Sequence, residues 1–267
     1  MRVRPGLFAA SLSLFALVAL AQRFGGGIRH SEGPPPEFPE AAEFHFIRTE
    51  YTDLPQYRRG FGFASRGATG NGWWMVDWPD ADEHFSMGVR RLTRVETGKP
   101  LHLSLTDPKL FDYPWIYATQ TGYWDLSDAE TTRLREYLNR GGFLMVDDFH
   151  NEREWAQFMA GIEQVLPGHG AIELEADDPI FHTVYNLSER YRVPGLNVVH
   201  GSQIERGGTY PHWRGVLDDR GRVVVGIWFN QDLGDAWEWA DLPDYPEKYA
   251  SMAIKLGVDY VIYAMTH

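Results

Sequence analysis

The sequence predicts a three-layer α/β domain, a mostly parallel sheet covered by helices on both faces, with an antiparallel hairpin near the carboxyl end. Three observations carry this expectation. Strand-like apolar runs alternate with amphipathic helical stretches along most of the chain. One capped helix lies between two compact apolar runs, at the spacing of a parallel βαβ crossover. Late in the chain two strand-like runs flank Asp218-Asp219-Arg220-Gly221, a turn with glycine where a positive φ is needed.

Residues 44–51 open the domain as a strand led by Phe44, Phe46 and Ile47. The Gly-rich, aromatic stretch 60–74 has no clear period. Residues 79–95 read as a helix, with Phe85, Val89 and Leu92 on one face. Leu101, Leu103 and Leu105 alternate with His102 and Ser104 as a half-buried strand, and residues 115–119 form a compact one. Ser127 with Glu130 makes a capping box, Leu134, Tyr137 and Leu138 form the buried stripe, and Gly141-Gly142 ends that helix. Residues 143–146 are continuously apolar, as a parallel strand covered on both faces requires. Residues 152–166 follow as a helix with Trp155, Phe158, Met159, Ile162 and Val165 at helical spacing, and 171–174 as a strand. Residues 213–217 and 222–229 are the hairpin. A long helix over 246–265 tracks one face through Tyr249, Met252, Ala253, Leu256, Tyr260 and Tyr263. No internal repeat or second domain boundary is visible.

The amino terminus reads as an export signal. Arg2 and Arg4 precede an apolar run, and Ala19-Leu20-Ala21 offers a small-x-small cleavage pattern that leaves Gln22 first. An uncleaved anchor is the competing reading, but the run falls short of the roughly 20 apolar residues of a spanning helix. The expected organisation is a signal peptide over 1–21, a flexible leader with triple glycine and triple proline over 22–42, and the α/β domain over 43–267. The expected location is outside the cytoplasm, periplasmic or extracellular, with no stable membrane insertion once processed. Cleavage takes the formal charge from −12 to −14, because only Arg2 and Arg4 leave. That charge repels phosphate backbones and argues against nucleic acid as a partner. The chain has no cysteine, which excludes a structural disulfide, a thiolate nucleophile and cysteine-ligated zinc.

In an open parallel sheet, ligands bind beyond the carboxyl ends of the strands. Directly after Val146 stand Asp147-Asp148-Phe149-His150. One reading makes Asp147, Asp148 and His150 catalytic, as carboxylate bases or as ligands of a divalent cation. The other makes one Asp a helix cap, the second a loop acceptor and His150 a surface residue. A second cluster, Asn230, Asp232, Asp235 and Trp237, follows the last strand-like run and is either a ligand loop or an ordinary turn. A third, Trp73, Trp74 and Asp77, leads into the helix at 79. It is either a sugar platform of indoles beside carboxylates or core, with Asp80 or Asp82 capping the helix. No Walker loop, dinucleotide glycine fingerprint, nucleophile elbow or His-Glu-x-x-His motif is present.

From Phe44 onward the chain resembles domain-of-unknown-function family 4159, found in bacterial exported or membrane-linked proteins. The resemblance rests on Gly72-Trp73 with Asp77-Trp78-Pro79-x-Ala81-Asp82-x-x-Phe85, on Leu105-Thr106-Asp107-Pro108, and on Gly141-Gly142-Phe143-Leu144-x-Val146-Asp147-Asp148-Phe149. It continues through Asp178-Pro179-Ile180-Phe181 and Asn230-x-Asp232-x-x-Asp235-x-Trp237-Glu238 to Tyr263-Ala264-x-Thr266-His267. That family is similar in turn to the class I glutamine-amidotransferase-like fold, a flavodoxin-like sandwich. The resemblance implies the fold and carries no mechanism. Active amidotransferases place a cysteine on the turn after the strand equivalent to 143–146, where this chain has Asp147-Asp148-Phe149-His150, so glutamine hydrolysis through a thiolate is excluded.

Two functional expectations follow. The first is a site for a polar small molecule, carbohydrate being the favoured class, where both acidic loops converge with or without a divalent cation. The second is a catalytically inactive module that docks an envelope protein. A deep polar pocket near Asp147 favours the first and a flat apolar patch the second.

Overall fold

Among the residues described by the computed structural model, 36–57, 72–202 and 204–267, seven strands build one sheet. They are β1 (Ile47–Glu50), β2 (Leu101–Ser104), β3 (Trp115–Thr119), β4 (Phe143–Phe149), β5 (Ala171–Glu173), β6 (His212–Leu217) and β7 (Val223–Phe229). The order is β2-β1-β3-β4-β7-β6-β5. The first five run parallel, and β6 is antiparallel to both β7 and β5. The chain therefore winds outward in both directions from β1, which places the topological switch between β1 and β3. The expected signal, residues 22–35 of the expected leader and most of the Gly-rich stretch lie outside the described residues. Residues 36–42 are tied to the domain by bonds from Lys99 N to Pro39 O (3.2 Å) and from Arg90 to Glu37 O (3.1 Å).

Alternation along the strands divides the core. Phe46, Trp115, Tyr117, Phe143 and Met145 face one side, which is covered by α1 (Asp80–Leu92), α5 (Leu233–Glu238) and α6 (Glu247–Thr266). Ile47, Ile116, Ala118, Leu144 and Val146 face the other, covered by α2 (Asp128–Asn139) and α3 (Asn151–Val165). A short helix, α4 (Leu196–Val199), lies in the long connection between β5 and β6. The crossover β3–α2–β4 is the expected one, with Trp115 opposite Phe143 in parallel register. Both halves of the capping box are formed: Glu130 N donates to Ser127 Oγ (3.3 Å) and Ser127 N to Glu130 Oε2 (2.8 Å). Gly141 ends the helix at φ 103°, and Gly221 turns the hairpin at φ 79°.

Three expectations are corrected. Leu92 is 46 % exposed at the last position of α1, while Val89 three residues earlier is the last of that stripe to reach the core. Asp80 and Asp82 do not cap α1; Pro79 holds that position, and Asp82 instead meets Arg48 in a fully buried ion pair. Asp147 and Asp148 are not in a loop after the strand but within its last three residues, where the register with β7 shifts. Among the described residues no helix is long and apolar enough to cross a membrane.

Candidate functional site

Strands β3, β4 and β7 end on one edge of the sheet, and the chain leaves them through Gln120, His150 and Asn230. Left-handed backbone gathers there. Among the described residues, the non-glycine positions with positive φ are Asp77 (65°), Gln120 (55°), Asp148 (51°), Asn151 (64°), Arg206 (42°) and Asn230 (61°). Each costs roughly 1–3 kcal/mol and persists only where surrounding contacts impose it. Five of the six form one hydrogen-bonded chain. Gln120 Nε2 donates to Asp148 Oδ2, and Arg206 donates to Asp148 Oδ1 (2.7 Å) and to Gln120 Oε1 (2.9 Å). Asn151 Nδ2 donates to Arg206 O (2.9 Å), and Asn151 N donates to Asn230 Oδ1 (3.0 Å).

Asp148 and His150 form the middle of this network. His150 Nε2 lies 3.1 Å from Asp148 Oδ1 and 3.9 Å from Glu205 Oε2. The imidazole is fully buried, and its Nδ1 has no hydrogen-bond partner among the described residues. His150 is therefore neither a surface residue nor a side-chain cap; Asn151 Oδ1 accepts the amides of Arg153 and Glu154 at the start of α3. Burial lowers the His150 pKa to about 3, assisted by Arg206, so the ring is neutral. Burial raises Asp148 to about 6, and the nearby Arg206 guanidinium limits the rise. Glu154 braces the turn from below, accepting His150 N (2.7 Å) and Tyr123 Oη (2.9 Å).

Asp147 behaves differently from its neighbour. Its Oδ2 accepts the amides of Leu233 (2.7 Å) and Gly234 (2.8 Å) and the Tyr117 hydroxyl (3.2 Å). It fastens β4 to the first turn of α5, and burial holds its pKa well above the usual carboxylate range. One oxygen of Asp147 is thus committed to backbone amides, while its Oδ1 is buried with no hydrogen-bond partner among the described residues.

The second acidic loop does reach the same edge. Oxygens of Asp77, Asp232 and Asp235 lie within 4.8 Å of one another, as do ligating atoms of Asp148, His150 and Glu205. The two groups meet around Gly195, where an added Cβ would come within 2.6 Å of Glu205 Oε2, 2.7 Å of Asp232 Oδ2 and 3.0 Å of Asp235 Oδ2. Asp232 also caps α5, accepting Asp235 N at 2.8 Å. Asn230 lies between the acids and a cleft of about 660 Å3 lined by Asn151, Arg153, Trp155, Gly207, Arg214 and Asn230 itself.

The tryptophans depart from expectation. Trp237 is fully buried and packs on Phe85 at 4.4 Å, so it presents no indole face to a ligand. Trp74 is buried against His102. Only Trp73 stays half-buried, stacked on Tyr123 at 4.4 Å and 18°. The turn chemistry of this chain thus reaches the site while two of the three indoles serve the core.

Gln120, Glu154, Gly195, Glu205 and Arg206 were not anticipated. Gln120 follows β3 directly, so the strand-end rule points to it once applied to every strand. Glu205 and Arg206 arrive on the long β5–β6 connection, whose sequence has no period to place it. A comparison with curated proteins finds no match. A family model described as a domain of unknown function (DUF4159) matches residues 65–265, well over half of the chain. The Asp77-Trp78-Pro79, Asp147-Asp148 and Asp232/Asp235 motifs that converge on this edge all fall inside that span, and the chain belongs to this family.

Proposed function

We propose that this edge of the sheet is a binding site for a polar small molecule, operated by carboxylates and an imidazole, in a protein exported from the cytoplasm. The observation that carries the reading is the hydrogen-bonded chain of five left-handed, non-glycine residues that includes Asp148, with the sixth, Asp77, beside the acidic loop of α5. If the resemblance to the class I amidotransferase-like fold holds, the turn carrying Asp147-Asp148-Phe149-His150 takes the place of the cysteine turn, and the sheet order is compatible with that fold. A thiol is absent from the whole chain. A carboxyl group with a pKa of about 6 beside a neutral imidazole exchanges protons near neutral pH, which suits hydrolysis or isomerisation of a hydroxylated substrate. Carbohydrates are the favoured class, with the Trp73–Tyr123 stack as the aromatic surface linked to the acids through Glu154. Export rests on the basic-apolar-small pattern of the first 21 residues.

Thermal-shift screening of the purified protein against sugars, polyols and small hydroxy acids tests this reading. Ligands that raise the melting temperature of the parent protein should lose that effect in Asp148→Asn. If every ligand leaves the parent unmoved, or shifts Asp148→Asn equally, the site reading falls and the inactive envelope-docking module becomes the better account.

A further inference from the structure

The cluster of Asp77, Asp232 and Asp235 draws on two separate stretches of chain, Asp77 from the turn before α1 and the other two from the start of α5. A group of acids alone says little about a ligand. The second observation is Asp77 Oδ2. Its side chain is more than nine-tenths buried, and that oxygen has neither solvent nor a hydrogen-bond partner among the described residues. It stands over Gly234, between Asp232 and Asp235 in the chain, where an added Cβ would come within 2.3 Å of it. Gly234 has no side chain to displace this oxygen, and Gly195 likewise leaves room for Asp232 Oδ2 and for Asp235 Oδ2, which also accepts Leu196 N at 2.6 Å.

Charge is the next consideration. The guanidinium of Arg48 is committed to Asp82 and to the carbonyls of Trp74 (3.0 Å) and Val76 (2.7 Å). Arg206 is committed to Asp148 and Gln120. The Asp148–His150–Glu205 group therefore already has its cation, whereas the three aspartates have none in hydrogen-bond contact among the described residues. An oxygen-only donor set suits hard ions, not soft or imidazole-seeking ones.

We propose that Asp77, Asp232 and Asp235 hold a hard divalent cation of the Ca2+ or Mg2+ class, above the bare backbone of Gly195 and Gly234. The proposal deepens the polar-ligand reading, on which it rests for its purpose: a cation here stands beside Asp148 and gives hydroxyl or carboxylate oxygens of a ligand a positive charge to approach. Its binding requires no organic ligand, so the two readings fail separately.

The test uses purified protein stripped with a chelator and titrated with Ca2+, Mg2+ or Mn2+, read by melting temperature and calorimetry. At saturation one of these ions should raise the melting temperature by about 5 °C. Asp77→Asn should weaken that ion at least about tenfold, as expected for the loss of one of three charged ligands. Asn tolerates the left-handed φ of 65° and removes a buried charge, so the metal-free variant should keep its fold. Gly195→Ala keeps every charge but crowds the oxygens, and should weaken the ion as well. Asp219→Asn, on the exposed hairpin turn, should not. Failure of all three ions to shift the parent overturns the proposal, as does a parent-like response in both Asp77→Asn and Gly195→Ala. Organic-ligand shifts that survive in metal-free protein would leave the broader reading standing while the cation is rejected.

Discussion

Asp147 and Asp148 are neighbours in the chain yet serve different partners: Asp147 Oδ2 accepts the amides of Leu233 and Gly234, while Asp148 Oδ1 meets Arg206 and His150. Residues 143, 145 and 147 keep the alternation that points toward α5. The left-handed backbone at Asp148, φ 51°, breaks that alternation, so that Phe149 joins Leu144 and Val146 on the opposite face. Asp147→Ala should leave two buried amides unpaired and lower stability by about 2–6 kcal/mol, at about 1–3 kcal/mol per unsatisfied group. Asp147→Asn retains an accepting oxygen and should lose much less. Urea denaturation followed by far-UV circular dichroism separates the two outcomes.

Opposite pKa shifts at Asp148 and His150 make acid stability a second readout. The folded His150 stays neutral down to about pH 3, but the unfolded residue takes a proton near 6.5, so this group loses stability as pH falls through 6.5. Asp148 has the reverse sign. Its folded pKa is about 6 against 3.8 unfolded, so the folded state takes up the proton first and gains stability as pH falls below 6. Arg206, Glu154 and Glu205 face His150 together with Arg192, and Arg206, Glu154 and Gln120 face Asp148. Between pH 6 and 4 the two contributions oppose each other. Asp148→Asn removes one of them, and its stability should fall relative to the parent by up to about 1.4 kcal/mol for each pH unit of acidification in that window. The same stability difference between parent and variant in urea titrations at pH 6 and at pH 5 would contradict the assignment.

The buried Arg48–Asp82 pair is the fold's own ionic joint, linking β1 to α1 with both side chains fully enclosed. Removing one partner strands the other charge. Asp82→Ala should cost about 3–5 kcal/mol, visible as a lower urea midpoint with an unchanged denaturant dependence.

At the surface the capping box offers a milder test. Ser127 Oγ accepts Glu130 N, while Glu130 also accepts Thr52 N at 2.9 Å and so joins α2 to the end of β1. Ser127→Ala should cost about 1 kcal/mol, and Glu130→Ala more, since it releases both contacts. Calorimetric melting of the two variants gives the comparison.

Much of the layering was legible in the chain because its signals are local. Residues 115–119, the Ser127 cap and the Gly221 turn each need only their immediate neighbours to be read. Asp147, Asp148, His150, Asp232 and Asp235 were legible as strand-end residues, and they do share an edge. Their partners were not, since Arg206 reaches Asp148 and Glu205 reaches His150 from more than fifty positions away through a connection without period. Trp237 misled for a related reason. A tryptophan beside acids looks like a ligand platform until the helix carrying it is rotated onto Phe85, and that rotation depends on α1 packing from 150 residues earlier.

The pairing of β4 with β7 joins Leu144 to Val225 across some eighty residues, whereas β3, α2 and β4 are near neighbours in the chain. A refolding chain should therefore acquire the local crossover early and close this long loop late. Asp148 and the α5 acids come together only when that closure is made. In a stopped-flow refolding experiment, affinity for any occupant of the edge should appear with the slowest phase, after most of the helical signal has returned. Binding competence would then mark the moment at which the two halves of the sheet become one.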